Sequence, residues 1–467
     1  MRSMNRRYSA ASTALAGILL LTGCDVTNPG PVRQEFLPNA DSHDALVAGA
    51  GRRLAEGVNS LAYTSALITR EIYPGGTTGS LGHSPLEQAG HIEPGGDPGQ
   101  GSFYNDMIQA RFIASEALGI FAESAEVDPN NVALAHIYAG YSYRVIAENW
   151  CETVFSTEEA LGSLEPSTQR LPEAEQHFTD AIAVATDANL VRAAHAGRAQ
   201  VRMWMGDWAG AAADAGEITD NTWSFTLNMD DIDPTTRNQL WFANADAPYR
   251  AYSMLFTFYG GNDGVAVEND VGETMPQFRG YSVVVDDPRL PVVTTDKAFA
   301  SFAVQGFGQV PFLNQAKYTS GNDDIRLASG AEMRLIEAEA ALNAGDFGGA
   351  MTIIDDLRTS YGLDNLMTDF PDAALPAPTD VPSVMSYLMR ERGIELWGEA
   401  RRWGDLRRWL PVEEGGQGQG LGGDVRLVDF ESTASLFRNP ATPRSICSDV
   451  PDSERDSNPN VPSAQEG

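Results

Sequence analysis

The chain has 467 residues, 42% of them hydrophobic, enough for a sizeable core. It carries 64 acidic against 32 basic residues, a formal net charge of −32, and its only lysines are Lys297 and Lys317. A phosphate backbone needs cationic contacts, so this balance excludes a nucleic-acid partner and favours neutral or cationic ligands.

At the N-terminus Arg2, Arg6 and Arg7 precede an uncharged apolar run from Ala10 to Leu21, and Leu21-Thr22-Gly23-Cys24 follows. A charged stretch, an apolar stretch too short to span a bilayer and a small-residue cleavage site make 1–23 a signal peptide. Leu-Thr-Gly-Cys resembles the bacterial lipobox, whose cysteine thiol is lipidated and becomes the first mature residue. The alternative is an ordinary signal peptide that happens to contain a cysteine. Each buried lipid CH₂ contributes about 0.8 kcal/mol, so an anchor with more than one acyl chain binds stably. The mature chain is therefore expected on a membrane through lipid on Cys24, with 24–41, which hold Pro29 and Pro31, as an extended spacer. That leaves Cys151 and Cys447. Export predicts a disulfide between them, and the alternative is two buried free thiols.

Apolar residues then recur at three- and four-residue steps, which predicts helices over Ser42–Gly57, Phe103–Ser124, Asn131–Cys151, Pro172–Asp187, Leu190–Met205 and Trp208–Ile218. Further helices are predicted over Ala331–Ala344, Phe347–Tyr361, Pro382–Trp397 and Glu399–Leu410. Gly206-Asp207 and Gly345-Asp346 are helix-stop and N-cap pairs. Around them small residues repeat: Gly197 stands twelve residues before Ala209, and Ala338 twelve before Ala350. Ala174, Phe178 and Ala181 show the same offsets as Ala350, Ile354 and Leu357. This resembles the tetratricopeptide pattern, and predicts about four helix pairs divided by insertions, about 131–218 and 331–410. The insertions are Tyr73–Gly101, a Gly- and Pro-rich surface loop; 218–318, with β-prone runs such as Tyr281–Val285; and 364–381. From Asp449 the tail is polar and expected to be extended.

One stretch carries more identity than the rest. Glu391-Arg392-Gly393-Ile394-Glu395-Leu396-Trp397-Gly398-Glu399-Ala400-Arg401-Arg402-Trp403-Gly404-Asp405-Leu406-Arg407-Arg408 resembles the signature of the SusD/RagB family, with Ala400 where that family commonly has glycine. Asp287-Pro288-Arg289-Leu290, the run from Ser329 to Ala340 with Leu357-Arg358 after it, the aromatic helix Tyr138–Trp150, and Asn458-Pro459-Asn460 are similar to other family segments, in the same order. The resemblance implies a mainly α fold: 42–467 as a single SusD-like domain of tetratricopeptide-like helix pairs with long irregular loop insertions and a few short strands. It also implies a surface-exposed outer-membrane lipoprotein, facing outward. Such proteins bind a nutrient, often an oligosaccharide, and cap a SusC-like TonB-dependent transporter. Neither enzyme activity nor a cofactor is implied.

Ile394, Trp397, Trp403, Leu406 and Trp409 form one apolar face, so the signature itself is expected in the core, with Glu395 or Glu399 pairing Arg402 along the helix. A glycan site needs rings for the apolar faces of sugars and polar side chains for their hydroxyls. The insertions offer Tyr73, Trp223, Trp241, Tyr259, Phe278 and Tyr281 as ligand-binding candidates, with Phe242, Tyr249 and Tyr252 beside them. Polar neighbours are Asn228, Asn238, Asn262, Asp263, Gln277 and Arg279. The opposing expectation is that most of these rings pack under their own loops.

Other chemistry finds less support. The six histidines include no His-Glu-x-x-His pair, and His83 and His91 lack a third metal ligand and are expected in solvent. Asn228–Asp233 lacks the glycine and closing glutamate of a calcium loop and is expected to be an acidic turn. No Gly-x-Ser-x-Gly elbow or phosphate-binding loop occurs. Two alternative functions remain: a tetratricopeptide-type scaffold lipoprotein for outer-membrane assembly, which predicts more regular repeats, and a secreted glycosidase, which predicts turnover.

Overall fold

The computed structural model describes residues 39–74, 83–88, 90–92, 95, 103–156, 160–246, 250–254, 257–261, 280–299, 310–369, 377–424 and 445–463. Cys24, Tyr249, Phe278, Asn262, Asp263, Gln277 and Arg279 lie outside them.

Helices dominate. α1 (Ala40–Ile68) packs on α3 (Phe103–Glu123), with the short α2 (Pro85–Gln88) between them in sequence. Then α4 (Pro129–Asn149), α5 (Leu171–Val184), α6 (Ala188–Met205) and α7 (Trp208–Ala215) stack in order, each on the next. α7 leads the stack onto α9 (Gly330–Asn343), which pairs with α10 (Phe347–Ser360). α12 (Val381–Glu395) crosses α9, and α13 (Arg402–Trp409) packs on α4 and α1.

Local chemistry sets these boundaries. Gly206, at φ 76°, ends α6 in the left-handed region, and the Asp207 side chain accepts from Gly210 N to start α7. The same device recurs at Gly345, at φ 81°, and Asp346, which accepts from Gly349 N. The repeat residues are contact points. Phe178 of α5 fills a slot between α4 and α6, where a Cβ would lie 2.8 Å from its ring at Gly140 and 2.2 Å at Gly197.

Three expectations need correction. α1 does not stop at Gly57 but runs on to Ile68. Gly57 is a packing notch, since a Cβ there would meet Met107 of α3 at 2.1 Å, and Val58, Leu61 and Ala62 beyond it are buried. Tyr281–Val285 is a short helix, α8, despite its β-branched residues, because its backbone is folded back on Gly280 and Tyr259. The tail is not simply extended: α14 (Asp452–Ser457) is helical, and Val450, Asn458 and Val461 are buried.

Strands are short and pair in twos among the described residues. β1 (Tyr73–Pro74) pairs with β5 (Tyr252–Ser253), β2 (Glu152–Val154) with β3 (Leu164–Pro166), and β4 (Ser224–Leu227) with β8 (Ile325–Ser329). β6 (Val292–Phe299) and β7 (Val310–Gln315) form a hairpin. Cys151 and Cys447 are joined by a disulfide, Cα to Cα 5.4 Å, beside the bridge between Trp150 and Ser448.

Candidate functional site

The signature segment is a buried network of charge. Arg392 reaches Asp405 through two bonds of 2.8 and 3.0 Å. Arg408 takes both oxygens of Glu339 on α9, and Arg401 joins Glu332 of α9 to Glu148 of α4. Glu391 meets three arginines, Arg289, Arg358 and Arg390, at 2.8, 2.7 and 3.0 Å. Burial opposes ionisation of Glu391, but these cations hold its carboxyl well below the usual range. The expected pairing of Arg402 with Glu395 or Glu399 does not form. Arg326 of β8 takes both glutamates, Lys317 adds to Glu399, and Arg402 instead bonds the Tyr259 hydroxyl at 2.9 Å and Thr69 O at 3.2 Å. Ile394, Trp397, Trp403 and Trp409 are buried and Leu406 is half-buried.

Ala400 has φ 57°, in the left-handed region, which costs an L residue about 1–2 kcal/mol and explains glycine as the usual residue there. Gly398, at φ 68°, turns the chain so that its N–H meets the Glu71 carboxylate at 3.0 Å.

The network reaches the bases of two insertions and joins them. The first insertion begins at β1, which pairs with β5 of the second. His83 is not in solvent. It is buried with Nδ1 2.9 Å from the Tyr252 hydroxyl and Nε2 3.2 Å from Thr64, and burial drives its pKa down to about 3, leaving it neutral. His91 is buried too. Tyr63 packs edge-on to Tyr252, completing a ring cluster. Further along, Gly280 N bonds Gly260 O at 3.1 Å, so the ends of segment 262–279 sit together. Phe299 pairs with Val310, which does the same for 300–309. Met254 N bonds Leu313 O at 2.8 Å and ties these two bases to each other. The insertions thus spring from one rigid platform, the arrangement binding loops need.

The proposed aromatic residues divide sharply. Tyr73, Tyr259 and Tyr281 are almost or wholly inaccessible, so they cannot offer a ring face to ligand. Tyr259 donates to Gly393 O at 3.0 Å and accepts from Arg402; Tyr281 accepts from Arg358 at 2.9 Å and stacks on Phe258. Trp223 is buried against α6, its Nε1 donating to Asn189 at 2.7 Å. These four are platform and core. Trp241, in the π-helical turn Trp241–Ala245, is half-buried against the core, and Phe242 beside it, also half-buried, lies under Arg237, 5.0 Å from the ring centre. Asn238 is buried, bonding Asp323 O and Trp241 N. The turn at 228–233 is held by Asp230, which accepts from Ile232 N, and by Asp233 with Arg52. Among the described residues no three His, Cys, Asp or Glu side chains converge to hold a metal.

What the sequence missed is the long-range pairing of its buried charges. One signal was present: Glu332 and Glu339 stand among apolar residues in the sequence of α9, and both are buried.

Residues 238–465 match the model of the SusD family. No curated protein matches the sequence significantly. Among solved structures, a SusD-superfamily protein from Bacteroides thetaiotaomicron is similar at 14% identity and TM-score 0.60, covering 91% of this chain and 99% of that one. Surface glycan-binding protein A from Bacteroides uniformis is similar at 16% identity and TM-score 0.56, covering 90% and 98%. A laminarin-binding SusD-like protein is similar at 15% identity and TM-score 0.54, covering 92% and 99%. At such identities the likeness is one of fold. The family match spans the segment that holds the buried signature, and the fold shared with SusD-superfamily structures extends well beyond it, so residues 238–465 carry the SusD family's sequence pattern within a SusD-like fold.

Proposed function

We propose that this chain binds an oligosaccharide nutrient and delivers it, unaltered, to a SusC-like TonB-dependent transporter. The observation that carries the proposal is the platform that joins the bases of two long insertions within a SusD-family fold. Two similar structures are of proteins named for binding surface glycan and laminarin, which favours a glycan here. Trp241 and Phe278 are the aromatic candidates for stacking on it, and the acidic charge disfavours polyanionic glycans. Lipid on Cys24 holds the protein on the outer face of the outer membrane, and 42–467 form one domain above the spacer. No helix among the described residues is long and apolar enough to cross a membrane, which fits attachment by lipid.

The test is recovery of the tagged full chain from outer membranes in mild detergent. A TonB-dependent transporter should copurify in near-equal amount, and Cys24→Ala should leave the membrane fraction as folded protein. Absence of any such transporter contradicts the delivery step, and a Cys24→Ala chain that stays membrane-bound contradicts the anchor.

A further inference from the structure

A cavity of about 590 Å³ opens between the first half of α1, the first half of α4, and the end of β4 with the chain that follows it. It shares no residue with the platform under the insertions. Its floor is apolar, made by Val47, Leu134, Leu227 and Met229. Tyr138 of α4 lines it, with its ring so close to α1 that a Cβ at Gly51 would lie 2.8 Å away. The Tyr138 hydroxyl makes no hydrogen bond to a described residue.

The rim is polar and already ordered. Asn131 Nδ2 donates to Asp44 at 2.7 Å. Asp324 accepts from Met229 N at 2.9 Å and from Thr226 at 3.2 Å, which fixes the chain on the other side. Arg52 is the cation in the lining, and its guanidinium is taken by Glu56 and Asp233. Asp44 and Asp230 therefore leave the rim acidic, which repels anions. Carboxylate and amide groups above an apolar floor suit a ligand with hydroxyls at its edge and C–H groups on its faces. The volume lies within the range of about 300–1,000 Å³ usual for small-molecule sites.

We infer that this cavity is a second binding site, for a neutral mono- or disaccharide. It does not depend on ligand binding at the loops that the platform carries.

The full chain, labelled with ¹³C at its methionine methyls and solubilised in detergent, tests it. Met229 lies in the cavity floor and Met254 in the platform, so the two sites report separately. Loss of a signal in Met229→Leu and Met254→Leu assigns each. Titration with glucose, maltose, cellobiose and lactose should shift the Met229 signal saturably with at least one sugar. Ala48→Trp, at an exposed α1 position lining the cavity, should weaken that response at least tenfold while leaving Tm unchanged. A Met229 signal that no sugar moves, that responds equally in Ala48→Trp, or that moves with the diamine putrescine and with none of the sugars overturns the inference. Failure of the insertion site would show at Met254 instead.

Discussion

Arg408 and Glu339 meet with no solvent access, two guanidinium nitrogens on two carboxylate oxygens at 2.6 and 3.0 Å. One belongs to the signature helix and the other to the middle of α9, so the pair fastens the C-terminal helices to the repeat stack. Breaking a buried pair leaves an uncompensated charge, which costs about 3–5 kcal/mol. Glu339→Ala should lose about 3 kcal/mol, toward the low end because Asp405 still faces Arg408 at 3.0 Å. Chemical denaturation measures it, and ligand affinity of the folded fraction should not change.

Glu71 gives stability a pH dependence of unusual sign. Burial pushes its carboxyl up to about 7, against the pull of Arg402 and the Gly398 N–H. The unfolded carboxyl titrates near pH 4.3, so the folded state keeps a proton that the unfolded state loses. The resulting stabilisation is complete below about pH 4, fades as pH rises toward 7, and is absent above. Glu71→Gln, which keeps an acceptor for Gly398 N, should therefore be more stable than the parent at pH 8, by on the order of 2 kcal/mol, and no more stable at pH 4. Glu391 and Asp405 act oppositely. Burial raises both, arginines more than reverse this, and their contribution is present above about pH 4 and lost as pH falls further. Thermal melts from pH 3 to 8 check both arms.

The Cys151–Cys447 disulfide closes a very long loop and secures the segment at 445–448 beside the end of α4, where Ser448 N bonds Asn149 O at 2.7 Å. Cys447→Ser should cost about 2–5 kcal/mol. Denaturation of the parent with and without reductant should reproduce that loss, and a parent insensitive to reductant would contradict it.

Tyr259 and Trp241 separate platform from binding surface. Tyr259→Phe removes the hydroxyl partner of the buried Arg402 Nη1 and of Gly393 O, and should cost about 1–3 kcal/mol of stability with no change in ligand affinity. Trp241→Ala should do the reverse, with a small effect on Tm and about tenfold weaker oligosaccharide binding, or about 1.4 kcal/mol. Melting curves and titrations on the same preparations distinguish the two.

Much of the helical frame was legible because its signals are local. Periodicity and the Gly-Asp caps placed α3 to α7, α9, α10, α12 and α13 to within a few residues, and Ala174, Phe178 and Ala181 marked a real crossing. Ring burial was not legible. Tyr73, Tyr259 and Tyr281 look like loop aromatics in sequence, yet each is held by partners far along the chain: Ser253 for Tyr73, Arg402 for Tyr259, and Arg358 for Tyr281. The arginines of the signature mislead in the same way. Spacing pairs Arg402 with Glu395 or Glu399, whereas Arg326, which lies in β8, claims both acids.

The central claim is binding without turnover. Calorimetric titration of the detergent-solubilised full chain with a panel of neutral oligosaccharides, including laminarin oligomers, followed by chromatography of the recovered sugar, tests it most directly. The account predicts saturable heat with at least one oligosaccharide and recovery of that sugar intact. No binding across the panel, or appearance of shorter products, would contradict it.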